Sequence, residues 1–248
     1  MKVTGRLIEI FRSLQGEGPY VGEAMTFVRF EQCSFGCHYC DTPESFKRHT
    51  TCRVETPPRS ERFTHVPNPV GMSQLNDLLI PFSDPYLSIT GGEPLEQAAF
   101  LSEWLPTQAQ RKKILLETNG VHPDALQTIL PAVHIVSMDL KPASSTGTGK
   151  SYWNEHAAFL KLAVEHGKDV YVKIVVTGKL NDADVEQAIR LVNDVDRSIP
   201  VILQPVTPTL TFHHAVSEER LRSIEQTCEA SLPDVRVIPQ MHKAWGML

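Results

Sequence analysis

Short apolar stretches recur along the chain and are separated by segments with helical periodicity. The stretches are rich in Val, Ile and Leu and are mostly continuous rather than alternating, which is typical of strands buried on both faces of a parallel sheet. They predict seven strands, over residues 25–30, 86–90, 113–117, 134–139, 170–176, 200–204 and 235–238.

Between these strands, apolar residues fall on one side of a helix. Val185, Ala188, Ile189 and Val192 form such a stripe, and helices are predicted over residues 123–130, 153–166, 182–195 and 217–232. Repeated alternation of strands and helices predicts an α/β fold with a parallel sheet and right-handed crossovers. Periodicity alone leaves open whether the sheet forms a barrel, a partial barrel or a doubly wound open sheet.

Residues 43–71 interrupt this pattern. The segment contains Pro57, Pro58, Pro67 and Pro69 and shows little periodicity. Because it is too long for an ordinary connector, we expect an irregular insertion with a functional role inside a single domain that spans residues 1–248.

Composition and charge narrow the class of protein. The 248 residues are 41% hydrophobic and 21% charged, as in ordinary globular domains. A net charge of −5 argues against a general nucleic-acid binder. No apolar run is long enough to span a bilayer, and the N-terminus lacks the apolar core of a signal peptide. We therefore expect a cytoplasmic protein with no membrane partner.

Three of the five cysteines lie within eight positions, directly after the predicted strand 25–30. Cys33, Cys37 and Cys40 follow the pattern C-x3-C-x2-C, and clustered thiolates favour zinc or an iron–sulfur cluster over a disulfide framework. A structural zinc site usually has four protein ligands, and no fourth ligand is obvious. Three thiolates with an open position suit a four-iron cluster, although a zinc knuckle remains an alternative.

A second motif follows the predicted strand 86–90 and reads Thr-Gly-Gly-Glu-Pro over residues 90–94. Its glycines allow a ligand to approach the backbone closely. Polar residues also follow the predicted strands that end near residues 117, 139 and 204. Ligands collect at the carboxyl ends of parallel strands, so this repetition favours a shared site over separate solvated loops.

The cysteine spacing, with Tyr39 before the last cysteine, and the GGEP element resemble the radical S-adenosylmethionine superfamily. The segment LQGEG at residues 14–18, the segment FVRF at 27–30, Asp41-Thr42 and the closing PQMHK at 239–243 narrow the resemblance to the 7-carboxy-7-deazaguanine synthase family. The resemblance covers nearly the whole chain, and the long segment 43–71 is the chief departure from it.

The resemblance implies a partial (β/α)6-type barrel with mostly parallel strands. It also implies a [4Fe–4S] cluster on the three cysteines, with S-adenosylmethionine chelating the fourth iron. The family converts 6-carboxy-5,6,7,8-tetrahydropterin to 7-carboxy-7-deazaguanine with loss of ammonia, in a radical ring contraction that recycles S-adenosylmethionine. The product feeds queuosine and other deazapurine pathways. Mg²⁺ is a further cofactor, a flavodoxin is the expected electron donor, and a homodimer is the usual assembly.

Site residues follow from the same resemblance. The pterin is expected on Leu14, Gln15, Gly16, Glu17, Arg29, Thr90 and Glu117. S-adenosylmethionine is expected on Tyr39, Cys40, Asp41, Gly92, Ser137, Met138, Asp139, Lys141, Gln204, Pro205, Val206 and Thr207. Thr42 is the expected Mg²⁺ ligand, although a Thr in this position also often caps a helix.

Within this implied site, Arg29 is the natural partner of the substrate carboxylate, because a guanidinium binds a carboxylate bidentately. The alternative is that Arg29 only forms a salt bridge at the surface or at the barrel end. Glu117 would accept hydrogen bonds from the amino and ring N–H groups of the pterin. Two alternatives remain from the sequence. One is another radical enzyme, such as an activase that installs a glycyl radical on a partner protein. The other is a structural zinc or iron–sulfur module without catalysis.

Overall fold

The computed structural model describes residues 3–247 and contains one large open sheet. Its ten strands lie in the order β12-β11-β10-β9-β8-β7-β3-β2-β4-β5. The strand bounds are Leu7–Leu14 (β2), Ala24–Phe30 (β3), Thr51–Glu55 (β4), Phe63–Pro67 (β5), Tyr86–Gly91 (β7), Lys113–Thr118 (β8), Ile135–Leu140 (β9), Asp169–Val176 (β10), Val201–Pro205 (β11) and Val235–Val237 (β12). Thr4–Gly5 (β1) and Val70–Gly71 (β6) form a separate two-stranded sheet.

The strands from β3 to β12 in this order pair in parallel, and all seven predicted strands are found among them. The helices are Met72–Leu79 (α1), Ala98–Trp104 (α2), Pro106–Ala109 (α3), Pro123–Ile129 (α4), Ala143–Thr146 (α5), Trp153–Glu165 (α6), Asp182–Asp196 (α7), Glu218–Glu229 (α8) and Met241–Trp245 (α9). The four predicted helices are α4, α6, α7 and α8. Among residues 3–247, no helix combines the length and apolar character needed to cross a bilayer.

The sheet is curved, and it forms the expected partial barrel. Phe11 on β2 and Ile202 on β11 belong to one apolar cluster, although five strands separate β2 from β11. The outer face packs against the helices and forms the main hydrophobic core. Side chains therefore alternate between the outer core and the barrel interior along each strand.

Two parts of the sheet differ from the sequence prediction. The prediction missed β2, which lies antiparallel to β3. The expected irregular insertion over 43–71 is wrong in part, because β4 and β5 form an antiparallel hairpin that extends the sheet beyond β2. The prolines lie in the turn and at the strand end, so they leave two short strand sequences between them. Cys52 and Val54 of β4 join the outer core.

The barrel interior is layered. Its floor is apolar and consists of Phe11, Met25, Phe27, Leu115, Ile135, Tyr171 and Ile202. Two residues further along the parallel strands, the inward positions become polar. On β8, for example, Glu117 follows Leu115, and on β10, Lys173 follows Tyr171. The carboxyl ends of the strands therefore carry a polar layer above a closed apolar floor.

Candidate active site

A cavity of about 400 Å³ lies above this floor, at the carboxyl ends of the parallel strands. Almost all of the predicted site residues line it. They are Leu14, Gln15, Gly16, Glu17, Arg29, Cys33, Cys37, Tyr39, Cys40, Asp41, Thr42, Thr90, Gly92, Glu117, Ser137, Asp139, Lys141, Gln204, Val206 and Thr207. The fold thus brings together in one chamber the residues expected for the cluster, for S-adenosylmethionine and for the pterin.

Two predicted cofactor residues are placed differently. The side chain of Met138 is fully buried in the outer core, because it lies between the inward-facing Ser137 and Asp139 on β9. Pro205 ends β11 and is absent from the cavity lining. The period-two alternation of a strand explains why a continuous run of site residues is not possible there.

The cysteine loop leaves β3 and crosses the mouth of the barrel. Its three thiols are half-buried and form no disulfide. Burial raises the pKa of the Cys33 thiol to about 11, and it also raises the pKa values of Cys37 and Cys40. Thiolates at these positions therefore need a compensating positive centre, as an iron–sulfur cluster provides.

The spacing of the thiols distinguishes between the possible metal centres. Among residues 3–247, the three cysteines do not form a group whose ligand atoms all lie within 4.8 Å of one another. A single tetrahedral zinc with bonds of about 2.3 Å would hold its sulfur ligands roughly 3.8 Å apart. The loop geometry therefore fits a larger cluster better than a mononuclear zinc site.

The GGEP element holds the start of the cysteine loop through backbone hydrogen bonds. Gly92 N–H donates to the Phe30 carbonyl at 3.0 Å, and Glu93 N–H donates to the Gln32 carbonyl at 2.7 Å. A Cβ on Gly92 would lie 2.0 Å from that Gln32 oxygen, so only glycine allows this approach of the two backbones.

The Glu93 carboxylate itself is buried and stabilises the loops that follow β7 and β8. It accepts hydrogen bonds from Leu95 N–H at 3.0 Å, Thr118 Oγ1 at 2.8 Å and Asn119 N–H at 2.7 Å. Burial raises the pKa of Glu93 to about 7, although these donors favour the ionised form. Glu93 thus ties the β7 and β8 ends together.

Two lysines and two carboxylates form a network at the other wall of the cavity. Lys141 Nζ lies 2.8 Å from Asp139 Oδ2, and Lys173 Nζ lies 3.5 Å from the same oxygen. Lys173 also donates to Glu17. Burial opposes ionisation of Asp139, but the two ammonium groups hold the pKa of Asp139 below its ordinary value.

Two oxygens at this wall have no partner in the described part of the chain. Asp139 Oδ1 and Gln204 Oε1 are buried acceptors without a hydrogen bond. Buried acceptors are rarely left unsatisfied, so these atoms point to a ligand that brings N–H or O–H donors. The ammonium and ribose hydroxyls of S-adenosylmethionine are such donors, and this wall fits the group that the sequence predicts.

Glu117 and Arg29 lie on neighbouring parts of the polar layer. The Glu117 carboxylate accepts hydrogen bonds from Gln15 Nε2 at 3.1 Å, Ser88 Oγ at 2.7 Å and Thr90 Oγ1 at 3.2 Å. All three donors are neutral, so none of them offsets its negative charge. Arg29 Nε lies 2.8 Å from Glu9 Oε1, and its guanidinium lies 5.7 Å from the centre of the Phe11 ring.

The C-terminal helix α9 closes one side of the cavity, and the sequence prediction gave it no role in the site. Gln240 Nε2 donates to Glu17 Oε1 at 2.9 Å and to Asp41 Oδ2 at 2.8 Å. Lys243 Nζ lies 2.9 Å from the same Asp41 oxygen. Burial opposes ionisation of Asp41, but Lys243 and Gln240 outweigh it and hold the pKa of Asp41 well below its ordinary value. The one sequence signal for this contact is the segment PQMHK at residues 239–243, which belongs to the family resemblance.

Glu17, Asp41 and His242 have ligand atoms within 4.8 Å of one another. Their carboxylates already face Lys173, Gln204, Gln240 and Lys243, so a metal ion is not needed to offset their charge. Thr42, the predicted Mg²⁺ ligand, lies next to this group, and its Oγ1 donates to Asp41 Oδ1 at 3.2 Å. Thr42 does begin a short 3-10 turn, but its side chain does not cap that turn.

Comparison with known proteins agrees with this arrangement. The model of the Radical SAM superfamily matches residues 27–192. A 7-carboxy-7-deazaguanine synthase of Geobacter sulfurreducens is 36% identical over 100% of this chain and 99% of its own length. The chain belongs to the 7-carboxy-7-deazaguanine synthase family. It is therefore a radical S-adenosylmethionine enzyme, and the family implies a [4Fe–4S] cluster and S-adenosylmethionine as cofactors.

A more distant synthase and one solved structure align with this chain over almost the same span. The synthase of Methanothermobacter thermautotrophicus is 31% identical over 97% of each chain. The crystal structure of QueE from Escherichia coli superposes with a TM-score of 0.61 at 19% identity, over 96% of this chain and 95% of that chain. This last likeness supports the fold. Membership of the family decides against the purely structural zinc module.

Proposed function

We propose that the enzyme converts 6-carboxy-5,6,7,8-tetrahydropterin to 7-carboxy-7-deazaguanine with loss of ammonia. The observation that carries this proposal is one shared cavity, which is lined by the cysteine loop, by the Glu117 carboxylate with its three neutral donors and by the Arg29 guanidinium. A pterin with a carboxylate offers groups complementary to both side chains. A glycyl-radical activase would need neither of them.

Glu117 is suited to the pyrimidine edge of the pterin. That edge presents an amino group and a ring N–H side by side, and a carboxylate accepts both hydrogen bonds. The three neutral donors around Glu117 hold its orientation without neutralising its charge. Gln15 is itself held, because its Oε1 accepts a hydrogen bond from Glu17 N–H at 3.0 Å.

Arg29 is suited to the carboxylate of the substrate. Its Nε donates to Glu9, and among residues 3–247 its terminal N–H groups form no further hydrogen bond, so they can bind a carboxylate in the cavity. The Phe11 ring, whose centre lies 5.7 Å from the guanidinium, limits its motion. A preorganised guanidinium loses less side-chain entropy when the substrate binds.

The cofactors would occupy the opposite side of the chamber. Cys33, Cys37 and Cys40 would hold the cluster, and Gly92, Asp139 and Gln204 would contact S-adenosylmethionine. When bound, the two together supply a radical that abstracts hydrogen from the substrate. The chain orients the reactants and excludes water above its apolar floor. Mg²⁺ would bind at Thr42, where a hydroxyl and substrate oxygens suit a hard cation.

The proposal extends to partners and location. A flavodoxin-like protein would supply electrons, and the enzyme would form a homodimer, as in the family. A reducing compartment such as the cytoplasm suits the five free cysteines of the chain.

Replacement of Arg29 tests the substrate assignment. Arg29→Ala should abolish formation of 7-carboxy-7-deazaguanine in an anaerobic assay, while the protein still binds its cluster and S-adenosylmethionine. Arg62→Ala is the matched control, because Arg62 is exposed on the β4–β5 hairpin. If Arg29→Ala makes the product at the rate of the control, the pterin assignment is wrong.

A further inference from the structure

The hairpin of β4 and β5 delivers an arginine to the edge of the active-site layer. Arg53 on β4 is the cross-strand neighbour of Glu9 on β2, and Glu9 is in turn the cross-strand neighbour of Arg29 on β3. The three residues thus form one row across three adjacent strands. Cross-strand pairs of opposite charge at this spacing attract each other.

The side chains in this row contact one another. Glu9 Oε1 lies 2.8 Å from Arg29 Nε, and Glu9 Oε2 lies 2.5 Å from Arg53. Each oxygen of the Glu9 carboxylate therefore serves one guanidinium. The Glu9 side chain is 8% exposed, whereas the Arg53 side chain is 46% exposed. Arg53 also lies 4.9 Å from the centre of the Phe63 ring on β5, which holds it in place.

This row is important because the positively charged side chains that line the cavity are already paired with carboxylates. Each of the four lysines and arginines that line the cavity in the described residues lies in an ion pair with a carboxylate: Arg29 with Glu9, Lys141 with Asp139, Lys173 with Glu17, and Lys243 with Asp41. With Glu9 alone as its partner, Arg29 would bring no net positive charge to an anionic substrate. The second guanidinium changes this balance, because two arginines share one carboxylate.

We infer that Arg53 is a positioning residue that gives the pterin site its preference for a carboxylated substrate, by offsetting Glu9 so that Arg29 keeps its charge for the substrate. This inference rests on the proposed function. It assigns a role to the hairpin of the long segment 43–71. Arg53 needs no contact with the substrate, since it acts through Glu9.

Equilibrium binding tests the inference. The probes are 6-carboxytetrahydropterin and the tetrahydropterin that lacks the 6-carboxylate, each added anaerobically to the cluster-loaded enzyme with S-adenosylmethionine. Arg53→Gln should raise the Kd of the carboxylated pterin about tenfold, as expected for loss of one charge from a partly exposed site. The Kd of the second pterin should not change, and Arg53→Lys should recover most of the loss.

Arg62→Gln is the matched control, because it removes the same charge from an exposed position of the same hairpin. It should leave both Kd values unchanged. The inference is overturned if Arg53→Gln behaves like Arg62→Gln, or if it weakens both pterins equally, which would indicate a merely structural role. If the wild-type enzyme does not prefer the carboxylated pterin, the proposed role of Arg29 fails first and the inference falls with it.

Discussion

Replacement of Gly92 by alanine tests the packing between the GGEP element and the cysteine loop. The new Cβ would lie 2.0 Å from the Gln32 carbonyl oxygen and 2.9 Å from Cys33 Cβ, whereas real Cβ contacts are almost never under 3.0 Å. Both obstacles belong to one short segment, so the cysteine loop must move away as a unit. The displacement would stretch the 2.7 Å hydrogen bond from Glu93 N–H to the Gln32 carbonyl.

The magnitude follows from these contacts. Overpacking of this kind costs about 1–3 kcal/mol, and loss of the hydrogen bond adds about 1 kcal/mol. We therefore expect Gly92→Ala to lower the free energy of unfolding of the apoprotein by about 2–4 kcal/mol. Displacement of Cys33 by about 1 Å should also lower turnover roughly 100-fold.

Gly71→Ala is the matched control. Gly71 has φ −83° and ψ 160°, and a Cβ there would meet no atom within 4 Å. Gly71→Ala should leave the free energy of unfolding unchanged or raise it by about 0.5 kcal/mol, because alanine lowers the conformational entropy of the unfolded chain. Urea denaturation measures the stability of both variants, and the iron content after reconstitution measures cluster binding. Equal results for Gly92→Ala and Gly71→Ala in both measurements would show that the cysteine loop does not depend on its close contact with Gly92.

Three further predictions concern ionisable side chains in and around the site. Lys173→Met should lower the free energy of unfolding by about 3–5 kcal/mol, because it leaves the Glu17 and Asp139 carboxylates without their shared cation. Lys161→Met removes a lysine from an exposed ion pair and should lower the free energy of unfolding by less than about 1 kcal/mol. Equal losses in the two variants would show that the buried lysine is not needed to offset the carboxylates. Folded protein keeps Glu93 protonated up to about pH 7, whereas the unfolded chain releases that proton near 4.5. The stability of the apoprotein should therefore fall by about 3 kcal/mol as the pH rises between these values. Glu93→Gln should flatten that slope in urea titrations, and an unchanged slope would show that another group causes it. Glu117→Gln should raise the Kd of the pterin about tenfold through lost charge-assisted hydrogen bonds, while the Kd of S-adenosylmethionine stays constant. A change in both constants would indicate general damage to the cavity.

Local sequence signals were sufficient for the parallel half of the sheet. The apolar stripe of α7, for example, is a local feature of the sequence. They were insufficient for β2 and for the β4–β5 hairpin. Glu9 and Arg53 interrupt the apolar pattern of these strands, because Glu9 lines the polar cavity and the half-exposed Arg53 side chain pairs with it. Their strand structure depends on pairing with distant segments.

The candidate site was likewise predicted only in part. Motif resemblance identified residues that do line the cavity, including the three cysteines and Glu117. It could not identify which donor side chain pairs with which carboxylate, because those contacts join distant positions. Lys173 lies 156 residues from Glu17, and Gln240 lies 199 residues from Asp41. Nor could it separate Met138 from its inward-facing neighbours without the direction of β9.

The most direct test is the ratio of product to consumed cofactor. The reconstituted enzyme is incubated anaerobically with 6-carboxytetrahydropterin, S-adenosylmethionine, Mg²⁺ and dithionite, and the products are measured by mass spectrometry. We expect 7-carboxy-7-deazaguanine in large excess over 5′-deoxyadenosine, because S-adenosylmethionine is recycled. Formation of 5′-deoxyadenosine without 7-carboxy-7-deazaguanine would contradict the proposed substrate while leaving the radical chemistry of the superfamily intact.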